Sequence, residues 1–225
     1  SGKKNNAPGK AAARIQKRRA DLVRAAVKIF SAKGFYTSTV NEIARAAGVS
    51  QGTVYNYIDT KADILYLVCS DVYAVYERYI TEAVRDAESA QERLYLVLGA
   101  TIDATFALQD HLLLLYQELH CLDRKQWKPF LRDAARLRGI YEKILAEAAA
   151  ECGINFGHRR VVASIILMLP STLIMRRWDL RGRVSEATMR EQSIRFLLRG
   201  LGLPDDGVAG RNRRSALPAA KSRAT

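Results

Sequence analysis

Between Ser50 and Tyr57 the chain sets Gln51, Gly52, Thr53, Tyr55, Asn56 and Tyr57 almost side by side. These side chains hydrogen-bond, carry no charge and are partly aromatic, the kind suited to base edges and phosphates in a DNA major groove. Gly52 lets a backbone approach closely. A second set, His111, Glu118, His120 and Cys121, has the donor atoms for metal or acid–base chemistry. On one continuous helix His111 and His120 are about two and a half turns apart and point to nearly opposite faces. Glu118 and Cys121 can share a face, but two ligands do not complete a site, and His158 lies far along the chain. There is no glycine-rich phosphate loop, nucleophile elbow or HExxH run. The expectation is a non-enzyme with no catalytic residue, no cofactor and no metal.

Charge points the same way as the 50–57 segment. The 225 residues hold 36 Lys+Arg against 23 Asp+Glu, a net +13. Residues 1–60 carry 11 basic and 3 acidic groups, whereas 61–203 carry 20 and 18, so the body is near neutral and the front is not. A basic front suggests that this quarter meets a polyanion. Residues 1–16 read as a flexible basic arm and 204–225, rich in Gly, Pro, Ala and Arg, as a disordered basic tail. The apolar run Val161–Met175 is interrupted by Pro170, Ser171 and Thr172 and is too short for a membrane span. The polar first residues lead into no apolar signal segment, and three scattered cysteines build no disulfide framework. A cytoplasmic, reduced, soluble protein without a membrane partner is expected.

The elements that must position these residues are helical. Leu22, Ala25, Ala26, Ile29 and Phe30 form one apolar stripe of period 3.6, stopped by Gly34. Thr39 and Glu42 make a capping box for a second, short helix, Val40 to Ala47. Gly48 ends it, and Ser50 caps a third helix, Gln51 to Tyr57. Thr60 and Asp63 open a long fourth helix. Longer amphipathic pieces follow around Leu94–Leu108, His111–Leu122, Trp127–Ala148, Arg159–Trp178 and Met189–Leu201. No strand pattern and no fixed-period repeat occurs. The prediction is an all-α fold of about nine helices. Its first three have the layout of a helix-turn-helix, with small Ala44 and Ala47 letting helices two and three approach and Ile43, Val49 and Val54 filling the space between them.

Ala25-Ala26, Ile29-Phe30, Lys33-Gly34-Phe35, Thr37, Thr39, Ile43-Ala44, Ala47-Gly48-Val49-Ser50, Gly52-Thr53-Val54-Tyr55-Asn56-Tyr57, Lys61 and Leu65, in that order and spacing, resemble the DNA-binding domain of TetR-type transcriptional regulators over roughly residues 17–77. Ile58 and Ala62 depart from the usual Phe and Glu. The resemblance implies that Gln51, Gly52, Thr53 and Asn56 face bases. It implies that Tyr55, Tyr57 and Lys61 contact phosphates, helped by Thr39 at a helix N-terminus, while Arg14, Lys17, Arg18 and Arg19 add sequence-independent contacts.

For residues 78–203 the resemblance implies a ligand-binding and dimerisation domain. The homodimer would pair the last two helices, through Ile165, Leu169, Ser193, Phe196, Leu197 and Gly200. The helices between would wall an effector pocket from Phe106, Leu115, Tyr116, Leu119, Trp127, Phe130, Tyr141, Met168, Met175, Arg176, Arg177 and Trp178. The arginines, with Arg132, Arg136 and Arg138, suit a ligand with an apolar body and a phosphate or carboxylate head. Leu115–Leu119, Trp178–Ser185 and Leu198–Leu201 are similar to TetR-type regulators of fatty-acid degradation, which implies an acyl-CoA thioester as effector. The function so implied is a repressor released from a palindromic DNA operator by a small molecule. The alternatives are an architectural DNA-binding dimer without an effector and, remotely, an enzyme.

Overall fold

The structure, a computed structural model, describes residues 8–205. Ten α-helices and one 3-10 turn occur among them: α1 (Pro8–Lys33), α2 (Val40–Ala46), α3 (Gln51–Tyr55), α4 (Lys61–Ala83), α5 (Ala90–Ala107), α6 (Gln109–Glu118), the turn Leu119–Cys121, α7 (Arg124–Cys152), α8 (Arg159–Met175), α9 (Arg177–Leu180) and α10 (Glu186–Gly200). No strand occurs among the described residues. The all-α expectation holds. The extra helix arises because the expected 159–178 segment breaks at Arg176, leaving α9 as a separate turn.

The caps are where sequence chemistry put them. The Thr39 hydroxyl accepts the Glu42 N–H at 3.2 Å while the Glu42 carboxylate accepts the Thr39 N–H at 3.0 Å. Ser50 accepts the Thr53 N–H at 3.2 Å. The Thr60 hydroxyl accepts the Asp63 N–H at 3.3 Å, and the Asp63 carboxylate accepts the Thr60 N–H at 2.8 Å. Gly34 and Gly48, at φ of 80° and 68°, supply the left-handed residues that end α1 and α2. Part of the expected flexible arm is helix instead: α1 starts at Pro8, whose fixed φ suits a first helical position, and Ala11–Ala13 extend it with strong helix formers. Residues 1–7 and 206–225, which include most of the basic tail, lie outside the described residues.

Two compact units make up the chain. The first comprises residues up to Asp71 together with Leu114–Phe130. Leu22, Val23, Ala26, Phe30, Ile43, Ala44, Val54, Ile64 and Leu65 form its core, each nearly or fully buried. The second comprises Val72–Leu113 and the residues from Leu131 on. The division therefore falls inside α4, α6 and α7, not at 77/78 as read from the sequence, and 114–130 belongs with the front helices. Named contacts hold that segment there: Glu118 accepts the Phe35 N–H at 3.2 Å, Lys125 pairs with Asp59 at 2.6 Å, and Gln126 donates to Asp63 at 2.6 Å.

In the second unit α5, α8 and α10 pack on one another around Leu98, Ile102, Ile166 and Ile194, with Tyr141 and Leu145 also buried. Its interior hydroxyls pair among themselves, Tyr76 with Thr105 at 2.7 Å and Tyr141 with Thr101 at 2.6 Å. Such pairing removes most of the cost of burying them. Arg190 on α10 grips Asp103 on α5 through two hydrogen bonds of 2.6 and 3.0 Å. Gly99 makes room for it, since a Cβ there would stand 2.6 Å from the Arg190 guanidinium.

Candidate nucleic-acid interface

Helix α3 is held by its apolar side. Val54 and Ile58 are buried at 1% and 4% exposure, and α3 packs on α2. With those positions inward, Gln51, Gly52, Tyr55 and Asn56 stand exposed, as does Tyr57 in the turn that follows. Tyr55 and Tyr57 are 48% and 44% exposed, so neither is a core aromatic. Thr53 is half-buried, and its hydroxyl is engaged with that of Ser50 at 2.8 Å. Burying one face of a five-residue helix has thus displayed five of the six hydrogen-bonding or permissive positions on the other. Arg14, Lys17, Arg18 and Arg19 are all exposed on α1, and Arg19 donates to Ser70 at 3.4 Å.

Two residues differ from expectation. Lys61 does not reach outward: its ammonium donates to the carbonyls of Phe35 at 2.6 Å, Tyr36 at 3.1 Å and Ser38 at 2.8 Å, and lies 4.5 Å from the centre of the Phe35 ring. An ammonium has three protons, and all three are engaged in fastening the α1–α2 loop, so none is left for a phosphate. Thr39 is exposed, but a carboxylate already occupies the start of α2. Glu42 takes the Thr39 N–H and pairs with Lys33; the Lys33 ammonium, with the Thr39 amide and hydroxyl, holds the Glu42 carboxyl below its ordinary range. Asp63 is also lowered: burial works against its ionisation, but hydrogen bonds from Gln126, Thr60 and Asp59 outweigh that.

The expected effector residues are not gathered within either unit. Leu115, Tyr116, Leu119, Trp127 and Phe130 belong to the first, where Trp127 and Phe130 meet edge to face at 5.4 Å. Tyr141 is buried in the second, its hydroxyl on Thr101 and its proton held more tightly than usual by that burial. Met168, Met175, Arg176 and Trp178 are surface residues, Trp178 73% exposed. The register of α8 turns Ile166, Pro170 and Ile174 inward instead. Phe106 and Arg177 do meet, in a cleft of about 420 Å³ that also takes in Ile174, Leu180, Arg181 and Met189. Four of the five arginines thought of as one group are dispersed in ion pairs: Arg136 with Glu77, Arg138 with Glu142, Arg176 with Asp179 and Arg177 with Asp110.

The expected dimer residues divide differently. Leu169, Ser193, Phe196 and Gly200 line one open groove along α8 and α10, of about 690 Å³, with Arg195 and Arg199 at its edge. Ile165 and Phe196 are 51% and 65% exposed, and Val161 and Met168 extend the same apolar surface. Leu197 is the exception, turned into the unit's core at 5% exposure.

An uncharged, exposed recognition-type helix behind a capped second helix, on a basic front unit, has the layout of a helix-turn-helix. Residues 22–66 match the family model described as bacterial regulatory proteins, tetR family. The transcriptional regulator HbdR of Aromatoleum sp. is 28% identical over 185 residues, 82% of this chain and 80% of that protein. A tetR-family regulatory protein from Rhodococcus RHA1 has the same fold, with a TM-score of 0.71 and 21% identity over 83% of this chain and 98% of that one. So does FadR of Bacillus subtilis, solved in complex with stearoyl-CoA, with a TM-score of 0.66 and 23% identity over 80% and 98% of the two chains. Residues 22–66 thus form a tetR-family DNA-binding domain, and most of the chain is similar to TetR-type transcriptional regulators. No helix among the described residues is long and apolar enough to cross a membrane.

Proposed function

We propose that the chain is a cytoplasmic, non-enzymatic, homodimeric repressor that binds a palindromic DNA operator and is released by an acyl-CoA thioester. The observation that carries the DNA reading is the outward face of α3, where Gln51, Gly52, Tyr55, Asn56 and Tyr57 are all exposed on a basic unit. Gln51 and Asn56, with the backbone at Gly52 and the partly covered Thr53, read base edges; Tyr55 and Tyr57 touch phosphates; and Arg14, Lys17, Arg18 and Arg19 supply the salt-dependent term.

Dimerisation pairs the α8–α10 groove with that of a second copy, since Val161, Ile165, Met168 and Phe196 leave a contiguous apolar surface there that water disfavours. A twofold dimer then reads two half-sites about one DNA turn apart or a multiple of it. The effector reading is supported by the 420 Å³ cleft, which sets Phe106, Leu180 and Met189 beside Arg177 and Arg181, and by the stearoyl-CoA complex of the fold relative FadR. An apolar wall next to guanidiniums suits an acyl chain with an anionic head. A ligand that prefers the form unable to bind DNA withdraws the population from the operator.

The test is fluorescence-anisotropy titration with the DNA upstream of the protein's own gene, at two salt concentrations, with and without acyl-CoA thioesters, free acids and aromatic compounds. Tight sequence-specific binding reversed by acyl-CoA supports the whole reading. Specific binding indifferent to every ligand removes the effector and leaves a constitutive DNA-binding dimer. Absence of specific binding from a random-sequence selection as well overturns the DNA assignment.

A further inference from the structure

Continuous helix geometry sends His120 away from Glu118 and Cys121, but the chain does not stay in an α-helix there. Helix α6 ends at Glu118, and Leu119–Cys121 tightens into a 3-10 turn. That change of pitch brings a ligand atom from each of Glu118, His120 and Cys121 within 4.8 Å of the others. The Cys121 sulfur lies 3.4 Å from His120 Nε2 and 3.5 Å from Glu118 Oε2. Ligands around a tetrahedral ion with bonds of about 2.0–2.3 Å are separated by about 3.3–3.8 Å, so both distances already have the length of a coordination edge.

We propose that Cys121, His120 and Glu118 bind one divalent transition-metal ion of the zinc class, with a fourth position open to water. The donor set of one sulfur, one imidazole and one carboxylate selects such an ion over magnesium or calcium, which take oxygen ligands. Binding exchanges the thiol proton for the metal: the sulfur–metal bond forms, and the proton leaves to solvent. His120 is exposed and provides the route of entry, while Cys121 is buried at the floor of the site.

The surrounding residues fix the orientation of these ligands. The second Glu118 oxygen accepts the Phe35 N–H at 3.2 Å, the Tyr36 hydroxyl hydrogen-bonds the Cys121 sulfur, and the Tyr36 and His120 rings lie 6.4 Å apart. Such outer contacts orient and tune metal ligands. They also join the site to the α1–α2 loop that Lys61 fastens, so an ion there stiffens the approach to α2. The site does not depend on the effector or DNA readings.

Cobalt(II) titration of the full chain under reducing conditions tests the proposal. One equivalent is expected to produce a thiolate-to-cobalt charge-transfer band that zinc then bleaches by displacement. Cys121→Ser should abolish the band, Cys152→Ser should keep it, and His120→Ala, at an exposed position, should weaken binding by roughly 10-fold or more, the least that disturbances around metal ligands cost. Where Cys121→Ser fails to fold, alkylation of the wild-type chain read by mass spectrometry gives the same answer: zinc should slow modification of Cys121 and leave Cys152 unaffected. Absence of the band, its survival in Cys121→Ser, its loss in Cys152→Ser, unchanged affinity in His120→Ala, or alkylation of Cys121 indifferent to zinc overturns the site.

Discussion

Replacing Lys61 by Met removes the ammonium and keeps the length and apolar body of the side chain. In the wild type that ammonium is shared among three carbonyls of the α1–α2 loop. The Tyr36 bond is exposed, so its carbonyl turns to water at little cost. The Phe35 and Ser38 bonds are partly buried, and a hydrogen bond to a charged group contributes about 1.5–3 kcal/mol. Partial access of water places the two together near the lower end, with the loss of the cation over the Phe35 ring adding about 0.5–1 kcal/mol. A net loss of about 2–3 kcal/mol lowers the folding equilibrium by roughly 30- to 140-fold and the melting temperature by about 4–12 °C. Thermal unfolding followed by circular dichroism measures the first quantity. Operator titration at several salt concentrations, well below the melting range, measures the second. Because no phosphate contact is removed, the slope of log affinity against log salt should stay at the wild-type value. An unchanged melting temperature together with a slope smaller by about one would make Lys61 a phosphate ligand after all, and the loop-fastening argument would be wrong.

Three further outcomes follow from the same geometry. Asn56→Ala, at an exposed position of the α3 face, should weaken operator binding by about 1–3 kcal/mol and relax preference at one base pair, with the melting temperature unchanged; anisotropy against single-base operator variants checks it. Phe196→Arg, at 65% exposure in the α8–α10 groove, should convert the dimer to a folded monomer in sedimentation velocity, and a persistent dimer would remove that groove from the interface. Asp63 is held below its ordinary carboxyl range, so its contribution to stability is complete above the unfolded value of about 3.9 and declines as pH falls through the folded value. Denaturant unfolding from pH 7 down to pH 2 should therefore show a shallower acid loss in Asp63→Asn than in the wild type, and parallel curves would contradict the assignment.

The helices of the first unit could be read from the sequence because their signals are local. The Leu22–Phe30 stripe, the Thr39–Glu42 box, the Ser50 cap, and the left-handed glycines at 34 and 48 each act within one or two turns of chain. The outward face of α3 followed from the same logic, since burying Val54 and Ile58 leaves Gln51, Tyr55 and Asn56 no other side. The dimer residues were implied by the family resemblance, and Ile165 and Phe196 among them are uncovered.

What escaped the sequence depends on contacts between residues far apart. The direction of the Lys61 ammonium is set by carbonyls 23 to 26 residues earlier in the chain, and no spacing rule encodes which way a flexible four-carbon stem will turn. The membership of 114–130 in the first unit rests on Glu118, Lys125 and Gln126 finding Phe35, Asp59 and Asp63, pairs separated by 63 to 83 residues. Trp178 and Met175 read as pocket wall because a hydrophobic residue in a helix signals burial only on average, and both lie at the surface. The arginines looked like one cationic group because charge was counted without its partners. Glu118 and Cys121 were read as a pair too few to complete a site, and the three-residue 3-10 turn brings His120 to them. Local chemistry therefore determined the helices, their ends and the outward face of α3, because capping and amphipathic burial are decided within a few residues. Only the tertiary structure decided which charges are engaged, which apolar side chains stay uncovered and which donor atoms converge, because each depends on a partner that folding alone brings near.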